Sequence, residues 1–141
     1  MLVPGQMGDD GSFPLEIKRT KPYGYSLFNL EAMAAICRIL STPRENLWKF
    51  ETPDGRGMRK AMEFMSPYIR DKHRDKQKWP MPPDVMYDSS WPMRQSSLLF
   101  AGLALARPEY IDLWKTLPAD SMVDEVIRNF FIRQPSLWIQ R

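Results

Sequence analysis

Apolar side chains in this chain recur at intervals of three and four residues, which is the spacing of one face of an α-helix. The first such stripe predicts a helix over about residues 26–41, and the second predicts one over about 56–71. Residues 92–106 are apolar on nearly every side, as in a helix buried among other helices. A fourth helix is predicted to begin at Pro108, and a fifth to follow a capping motif at residues 121–124 and to end before Pro135.

Prolines and turn residues separate these stripes. Their density before Pro22 argues against a helix there, so residues 1–14 are interpreted as a lead-in loop and residues 15–141 as the helical region of one domain. The prolines within residues 79–91 predict an extended connector. No segment alternates apolar and polar residues over the length of a strand. The prediction is an all-α fold of helical hairpins joined by short turns.

The composition narrows the class of protein. With 141 residues, of which 43% are hydrophobic and 26% charged, the chain is expected to form a single domain with a modest core. One cysteine and one histidine exclude a disulfide framework and disfavour a zinc site built by the protein. No apolar run has the length of a membrane span, and the first residues lack the pattern of a signal peptide. The net charge of +3 favours an anionic partner without separating nucleic acid from an acidic polysaccharide.

The candidate chemistry lies in residues 16–30. Three cations, Lys18, Arg19 and Lys21, precede a glycine bend and the helix entrance that contains Tyr25. The planar fork of an arginine matches a carboxylate, and neighbouring cations favour the ionised form of a tyrosine. Arg19 and Tyr25 could therefore neutralise a substrate carboxylate and move a proton at the neighbouring carbon. The same residue types are common at helix starts without catalytic function, so the spacing alone leaves both interpretations open.

Other features have both a functional and a structural interpretation. Trp79 and Trp91 flank the proline-rich connector, where each indole would either stack on a sugar ring or pack at a hinge. The charged run of residues 70–78 would grip a polyanion or form a solvated surface of mixed charge, and the solvated surface is favoured. His73 within this run has no cysteine or carboxylate at ligand spacing, so an exposed histidine is expected. Trp114 lies on an apolar helix face and is expected in the core.

Two motifs carry a resemblance to a known family. Residues 10–20 (DGSFPLEIKRT) and residues 25–32 (YSLFNLEA) closely resemble the signature of the alginate lyase domain family. Shorter similarities follow at residues 47–48, 54–56, 67–68 and 78–80, so that the resemblance covers most of residues 10–105. It implies an (α/α) toroid of helical hairpins. It also implies β-elimination in a uronic-acid polysaccharide such as alginate, without a metal or an organic cofactor.

The resemblance implies specific roles. In the family's pattern, the tyrosine that transfers the proton falls on Tyr25, and the arginine that contacts the substrate carboxylate falls on Arg19. The family also has an Asn-His pair on a helix upstream of these motifs, and nothing in this sequence corresponds to it. The chain is therefore expected to form the C-terminal portion of a lyase domain, weak or inactive alone. Such an incomplete toroid would expose faces that a partner or an upstream segment covers.

The candidate site is therefore composed of two catalytic residues and six residues that bind substrate. The catalytic residues are Tyr25 and Arg19, and the substrate-binding residues are Lys18, Tyr23, Asn29, Trp79, Trp91 and Arg94. The expected partner is an acidic uronate polymer rather than nucleic acid or a membrane. Family members generally act in the periplasm or outside the cell, although this chain carries no recognisable export signal.

Two alternatives stay open. The chain could be a non-catalytic helical module that binds an anionic polymer through Lys18, Arg19, Lys21 and the cations of residues 72–78. It could also be the product of a truncated reading frame that does not fold stably.

Overall fold

A computed structural model describes residues 3–73, 79–91, 93–119 and 121–139, with the side chains of residues 3, 4 and 73 outside the description. Its α-helices are α1 (Val3–Gln6), α2 (Pro14–Ile17), α3 (Pro22–Leu40), α4 (Met58–His73), α5 (Ser96–Ala104), α6 (Pro108–Thr116) and α7 (Asp124–Ile127). Short 3-10 turns lie at Leu47–Lys49, Asp88–Ser90 and Pro135–Trp138. Within these ranges the only strand-like pairing is an isolated bridge between Glu51 and Gly57. The predicted all-α fold is confirmed.

The long helix α3 is the centre of the packing. It contacts α2, α4 and α5, and it buries Leu27, Leu30 and Ala34 among them. Helices α5 and α6 form a closely packed hairpin. Gly102 permits this approach, because a Cβ atom there would lie 2.5 Å from Cγ1 of Ile111. The predicted burial of residues in the third helix is confirmed for most of α5, since the residues from Ser96 through Gly102 are all buried.

The prediction that no helix precedes Pro22 is wrong. Both α1 and α2 lie before it, and Pro14 and Pro22 each occupy the first turn of a helix. Proline is favoured at that position because the first amide hydrogens of a helix have no partner within it, and the fixed φ angle of proline suits a helix. A high density of prolines therefore marks helix starts here rather than loops.

The lead-in is also part of the core. Met7 and Phe13 are 3% and 0% exposed, and both belong to the main apolar cluster. Arg56 donates a hydrogen bond through Nη1 to the carbonyl of Met7 at 3.0 Å, and Lys60 Nζ donates to the carbonyl of Asp9 at 2.8 Å. The apolar side chains and these bonds attach the lead-in to α4 and the turn before it.

The helix boundaries differ from the predicted ones by a few residues, in either direction. Helix α3 begins at Pro22 rather than near residue 26, so Gly24 lies inside the helix and not at a bend. Helix α4 covers Met58–His73 in place of 56–71, and α5 covers Ser96–Ala104 in place of 92–106. Helix α6 begins at Pro108, as predicted. The positions of the helices thus follow the apolar stripes, whereas their ends depend on contacts that the stripes do not contain.

The predicted long fifth helix is wrong. Only α7 is helical there, and Pro135 begins a 3-10 turn instead of ending a helix. The Ser121 hydroxyl accepts a hydrogen bond from the amide of Val123, two residues on, at 3.0 Å. A serine that bonds so locally favours a turn over a helix cap. The segment instead anchors itself through Val126, which is 1% exposed, and Ile132, which is 6% exposed.

One apolar face of α3 is left uncovered. Ile36, Ile39 and Leu40 are 47%, 60% and 59% exposed. A groove of about 160 Å³ runs beside Ile36 and is lined mainly by apolar side chains, among them Met33 and Phe50. None of the described helices is long and apolar enough to cross a membrane.

Candidate functional site

Tyr25 and Arg19, the two predicted catalytic residues, are in contact. The Arg19 guanidinium carbon lies 3.5 Å from the centre of the Tyr25 ring. Helix α2 ends at Ile17 and α3 begins at Pro22, so the short turn between them folds the arginine back over the first turns of α3. Arg19 also forms an exposed ion pair with Glu16, with 2.8 Å between Nη1 and Oε2.

A second cation, Lys21, lies on the same side of the helix entrance. Its Nζ is 5.1 Å from the centre of the Tyr25 ring and 5.6 Å from that of Tyr87, distances at which a cation is attracted to an aromatic face. Its charge is paired with Glu125 of α7, with 2.5 Å between Nζ and Oε1. Tyr25 is thus flanked by two positive charges, each of which is paired with a carboxylate of this chain.

Asp84 fixes the entrance of α3. Its two carboxylate oxygens accept the amide hydrogens of Tyr23 and Gly24, each at 2.8 Å. These amides belong to the first turn of the helix, where intrahelical partners are missing and a negative charge is stabilising. A Cβ atom at residue 24 would lie 2.8 Å from Asp84 Oδ2, so the close approach requires glycine. Burial raises the pKa of the Asp84 carboxyl, although the two amide hydrogen bonds act in the opposite direction.

Further bonds hold the connector that contains Asp84 against the helix entrance. The amide of Val85 donates to the carbonyl of Thr20 at 3.1 Å. Asp88 accepts a hydrogen bond from the Asp84 amide at 3.3 Å and pairs with Lys72 Nζ at 3.0 Å. The residues that precede Tyr25 are therefore positioned by the connector, which α4 holds through Lys72.

Three predicted substrate-binding aromatic residues are buried instead of exposed. Tyr23, Trp79 and Trp91 are 0%, 7% and 6% exposed. The Tyr23 ring packs edge-on against both indoles, with centroid distances of 5.4 Å to Trp79 and 6.1 Å to Trp91. The expectation that these indoles are exposed is therefore wrong for this structure, in which both pack against Tyr23, and their role in binding a sugar stays a prediction. The two indoles and Tyr23 belong to the apolar core beneath the site. Burial is the main cause of the raised pKa of the Tyr23 hydroxyl.

Arg94 is engaged in holding the turn after α6. It donates hydrogen bonds to the carbonyls of Leu117, at 3.0 Å, and Lys115, at 3.2 Å, and its guanidinium lies 4.7 Å from the Trp114 ring. These contacts hold Arg94 against the turn, and its role in substrate binding stays a prediction. Trp114, which was predicted in the core, is partly buried and packs against the main apolar cluster.

Lys18 and Asn29 stay candidates. Lys18 is exposed just after α2, and Asn29 is half-buried one turn beyond Tyr25 on α3. Residues 74–78 of the charged run and the side chain of His73 lie outside the described residues. In the described part of the chain, no group of three or more His, Cys, Asp or Glu side chains is arranged to hold a metal ion.

Sequence reasoning missed four residues of this arrangement. Lys21 was not among the predicted site residues, although its place among the cations before Tyr25 was a usable signal. Asp84, Tyr87 and Glu125 come from segments that lie 60 to 104 residues away in the chain. Nothing in the local pattern around them indicates which helix end or cation they meet.

The comparisons with known proteins agree with the motifs. The family model for alginate lyase matches residues 1–75, which is more than half of the chain, so the chain belongs to the alginate lyase family. A solved structure of an alginate lyase from Bacteroides ovatus is similar, with a TM-score of 0.64 and 26% identity over 82% of this chain. The matched region is only 30% of that longer protein. No curated protein matches this chain.

Proposed function

We propose that this chain supplies the tyrosine and the arginine of a site that cleaves a uronate polysaccharide by β-elimination. The observation that carries the proposal is the stacking of the Arg19 guanidinium on the Tyr25 ring at 3.5 Å, within the motif that resembles the family signature. The family match and the similarity to a solved alginate lyase support the class of reaction and an acidic polysaccharide as substrate.

The arrangement suits the chemistry of elimination. Arg19 would bind the uronate carboxylate and neutralise it, which makes the adjacent C5 hydrogen more acidic. Its ion pair with Glu16 is 51% exposed on the arginine side and is therefore weak, so a substrate carboxylate can replace it. As the C5–H bond and the C4–O bond break, a C4–C5 double bond forms. A base takes the C5 proton and an acid protonates the glycosidic oxygen that leaves C4, and Tyr25 would act as one of these two groups.

We expect this chain alone to turn over slowly. The 141 residues contain a single histidine and no Asn-His pair. The exposed Ile36, Ile39 and Leu40 of α3 offer an apolar face that further helices of a partner or of an upstream segment would cover. As in the family generally, the proposed place of action is outside the cytoplasm.

The experiment that tests the proposal is the ultraviolet absorbance of unsaturated uronate ends during incubation of the chain with alginate. Tyr25→Phe removes only the phenolic hydroxyl and is expected to abolish the slow increase. Tyr68→Phe is the matched control, because it removes the same hydroxyl from a tyrosine on another helix. Tyr68 lies on α4 and packs against Trp79, with 5.1 Å between the ring centres. Trp79 in turn packs against Tyr23 of α3. Equal rates in the wild-type protein and in Tyr25→Phe would contradict the assignment.

A non-catalytic polymer-binding module is the second candidate. Lys18 is exposed beside the partly exposed Arg19, and a surface of this kind attracts a polyanion without any chemistry. A folded protein that binds alginate, shows no increase in absorbance and binds equally well after Tyr25→Phe would favour this function. Circular dichroism of the same samples establishes that the helices are formed.

A further inference from the structure

A carboxylate of the chain itself lines the space beside Tyr25. Lys21, Tyr25, Tyr87 and Glu125 line a cavity of only about 10 Å³ at the entrance of α3. A volume of this size is at the limit for one water molecule and excludes a sugar ring. On this side of the Tyr25 ring, Glu125 therefore occupies the place at Lys21 that a saccharide carboxylate would take.

Lys21 and Arg19 differ in the way they are paired. The partner of Arg19 is three residues away and the arginine side chain is 51% exposed, whereas Lys21 is 16% exposed and its partner Glu125 lies 104 residues further along the chain. A partly buried ammonium group loses hydration and needs an anion close to it. The structure meets this need with Glu125, at 2.5 Å from Nζ.

Glu125 has a second cation available. Its other carboxylate oxygen is paired with Arg128, whose side chain is 74% exposed. If Glu125 left Lys21, its charge would stay paired and hydrated. The free-energy cost of moving Glu125 therefore comes mainly from leaving the Lys21 ammonium group unpaired. A second carboxylate at the same position would remove this cost.

We propose that Lys21 is a binding residue for a uronate carboxylate and that Glu125 is an internal carboxylate that occupies its place until the saccharide displaces it. The inference rests on the proposed function for the identity of the ligand. It assigns α7 and the segment around it to the control of access to Tyr25. The substrate carboxylate replaces the carboxylate of Glu125 on the Lys21 ammonium group. Lys21 therefore stays ion-paired while Glu125 moves away.

The test is the affinity of the whole chain for a short alginate oligosaccharide, measured by calorimetry with Glu125→Gln. This substitution keeps the shape of the side chain and removes its charge, and we expect about fivefold tighter binding, the scale of a partly exposed ion pair. Glu45→Gln is the matched control, because it makes the same change of net charge at an exposed site. It accounts for the general attraction of a polyanion to a more positive protein.

The dependence on Lys21 separates the displacement of Glu125 from a general gain in positive charge. In a Lys21→Met background, Glu125→Gln should produce no gain, and Lys21→Gln replaces Lys21→Met if the latter loses helix content. Equal gains for Glu125→Gln and Glu45→Gln, a gain that persists without Lys21, or no binding by any variant would each overturn the inference. The absorbance assay judges cleavage separately, so binding controlled by Glu125 without cleavage would sustain the inference and refute the catalytic proposal.

Discussion

The N-termini of α3 and α5 are closed in the same manner but in different surroundings. At the start of α3, Asp84 accepts the amide hydrogens of two successive residues, each at 2.8 Å. At the start of α5, Glu31 accepts two successive amide hydrogens at 3.1 Å and 3.0 Å. In both cases the carboxylate comes from a distant part of the chain, so each cap also ties two segments together.

The surroundings give the two caps different functions. Glu31 is 1% exposed, lies on the buried side of α3 and also receives the Ser96 hydroxyl at 2.5 Å. Asp84 lines the small cavity that contains Lys21 and Tyr25. The comparison indicates that one cap secures the packing of α5 against α3, whereas the other positions the candidate reactive tyrosine. Loss of each carboxylate should therefore affect stability and function in different proportions.

Glu31→Ala is expected to have the largest effect on stability. It leaves the amides of Ser96 and Ser97 buried without their acceptor and removes a volume that the core encloses. We expect a loss of about 3 kcal/mol in the free energy of unfolding. Urea denaturation followed by circular dichroism measures it. A loss below about 1 kcal/mol would show that the cap is replaced or dispensable.

Asp84→Ala is expected to cost less, about 2 kcal/mol, because the amides of α3 lie beside a small cavity with room for one water molecule at most. Its effect on function should nevertheless be larger. Tyr25 directly follows the two capped residues, so uronate binding at low temperature, where both variants are folded, should weaken in Asp84→Ala and not in Glu31→Ala. Equal weakening in both variants would remove the functional difference between the two caps.

The sequence contains enough to predict the helices from α3 to α6, but not α1, α2 or these caps. The stripes on α3 and α4 arise from local spacing, and the start of α6 follows from Pro108, since proline at a helix start depends only on neighbouring residues. The caps join residues that are 60 to 66 positions apart. A carboxylate in a proline-rich connector, such as Asp84, has the same local pattern whether it faces solvent or a helix end.

The residues of the candidate site differ in the same way, between those placed by local sequence and those placed by long-range packing. Tyr25 and Arg19 could be found because both lie in one continuous motif whose turn brings them together. The burial of Trp79 and Trp91 could not be predicted because a connector rich in proline is usually exposed, whereas here both indoles pack on Tyr23 and become part of the core. The difference arises from burial, which only the assembled fold determines.

The dependence of stability on pH tests the Glu31 cap by changing the charge of its carboxyl group, without removing the side chain. Burial raises the pKa of the Glu31 carboxyl above its ordinary value of 4.5, despite the hydrogen bonds from both serines. The folded protein then binds this proton more tightly than the unfolded chain, so the stabilisation is complete below the unfolded pKa and is lost as the pH rises through the folded pKa. The slope from this group is at most about 1.4 kcal/mol per pH unit.

Glu31→Gln provides the control for this dependence, because glutamine does not titrate. The difference in the free energy of unfolding between wild type and Glu31→Gln, measured by urea denaturation from pH 4 upwards, should shift against the wild type as the pH rises. The raised pKa of Asp84 acts in the same direction and is present in both proteins, so it cancels in the difference. A difference that is constant over the range would contradict the raised pKa of Glu31.

The smallest effect sharpens the comparison most, because it depends on the contact between Gly24 and Asp84 alone. Alanine in place of a glycine inside a helix is worth about 1 kcal/mol, but its Cβ would lie 2.8 Å from Asp84 Oδ2 and push the carboxylate off the helix end. The gain in helix propensity and the loss of about one hydrogen bond should nearly cancel, so Gly24→Ala alone is expected to change the free energy of unfolding by less than about 0.5 kcal/mol.

In Asp84→Ala no carboxylate remains to be displaced, and the same substitution should stabilise by about 1 kcal/mol. The four proteins form a double-mutant cycle measured by urea denaturation. Additive effects would mean that the Asp84 cap does not depend on glycine at position 24. The expected coupling would show that the glycine admits the carboxylate that caps the helix entrance beside Tyr25.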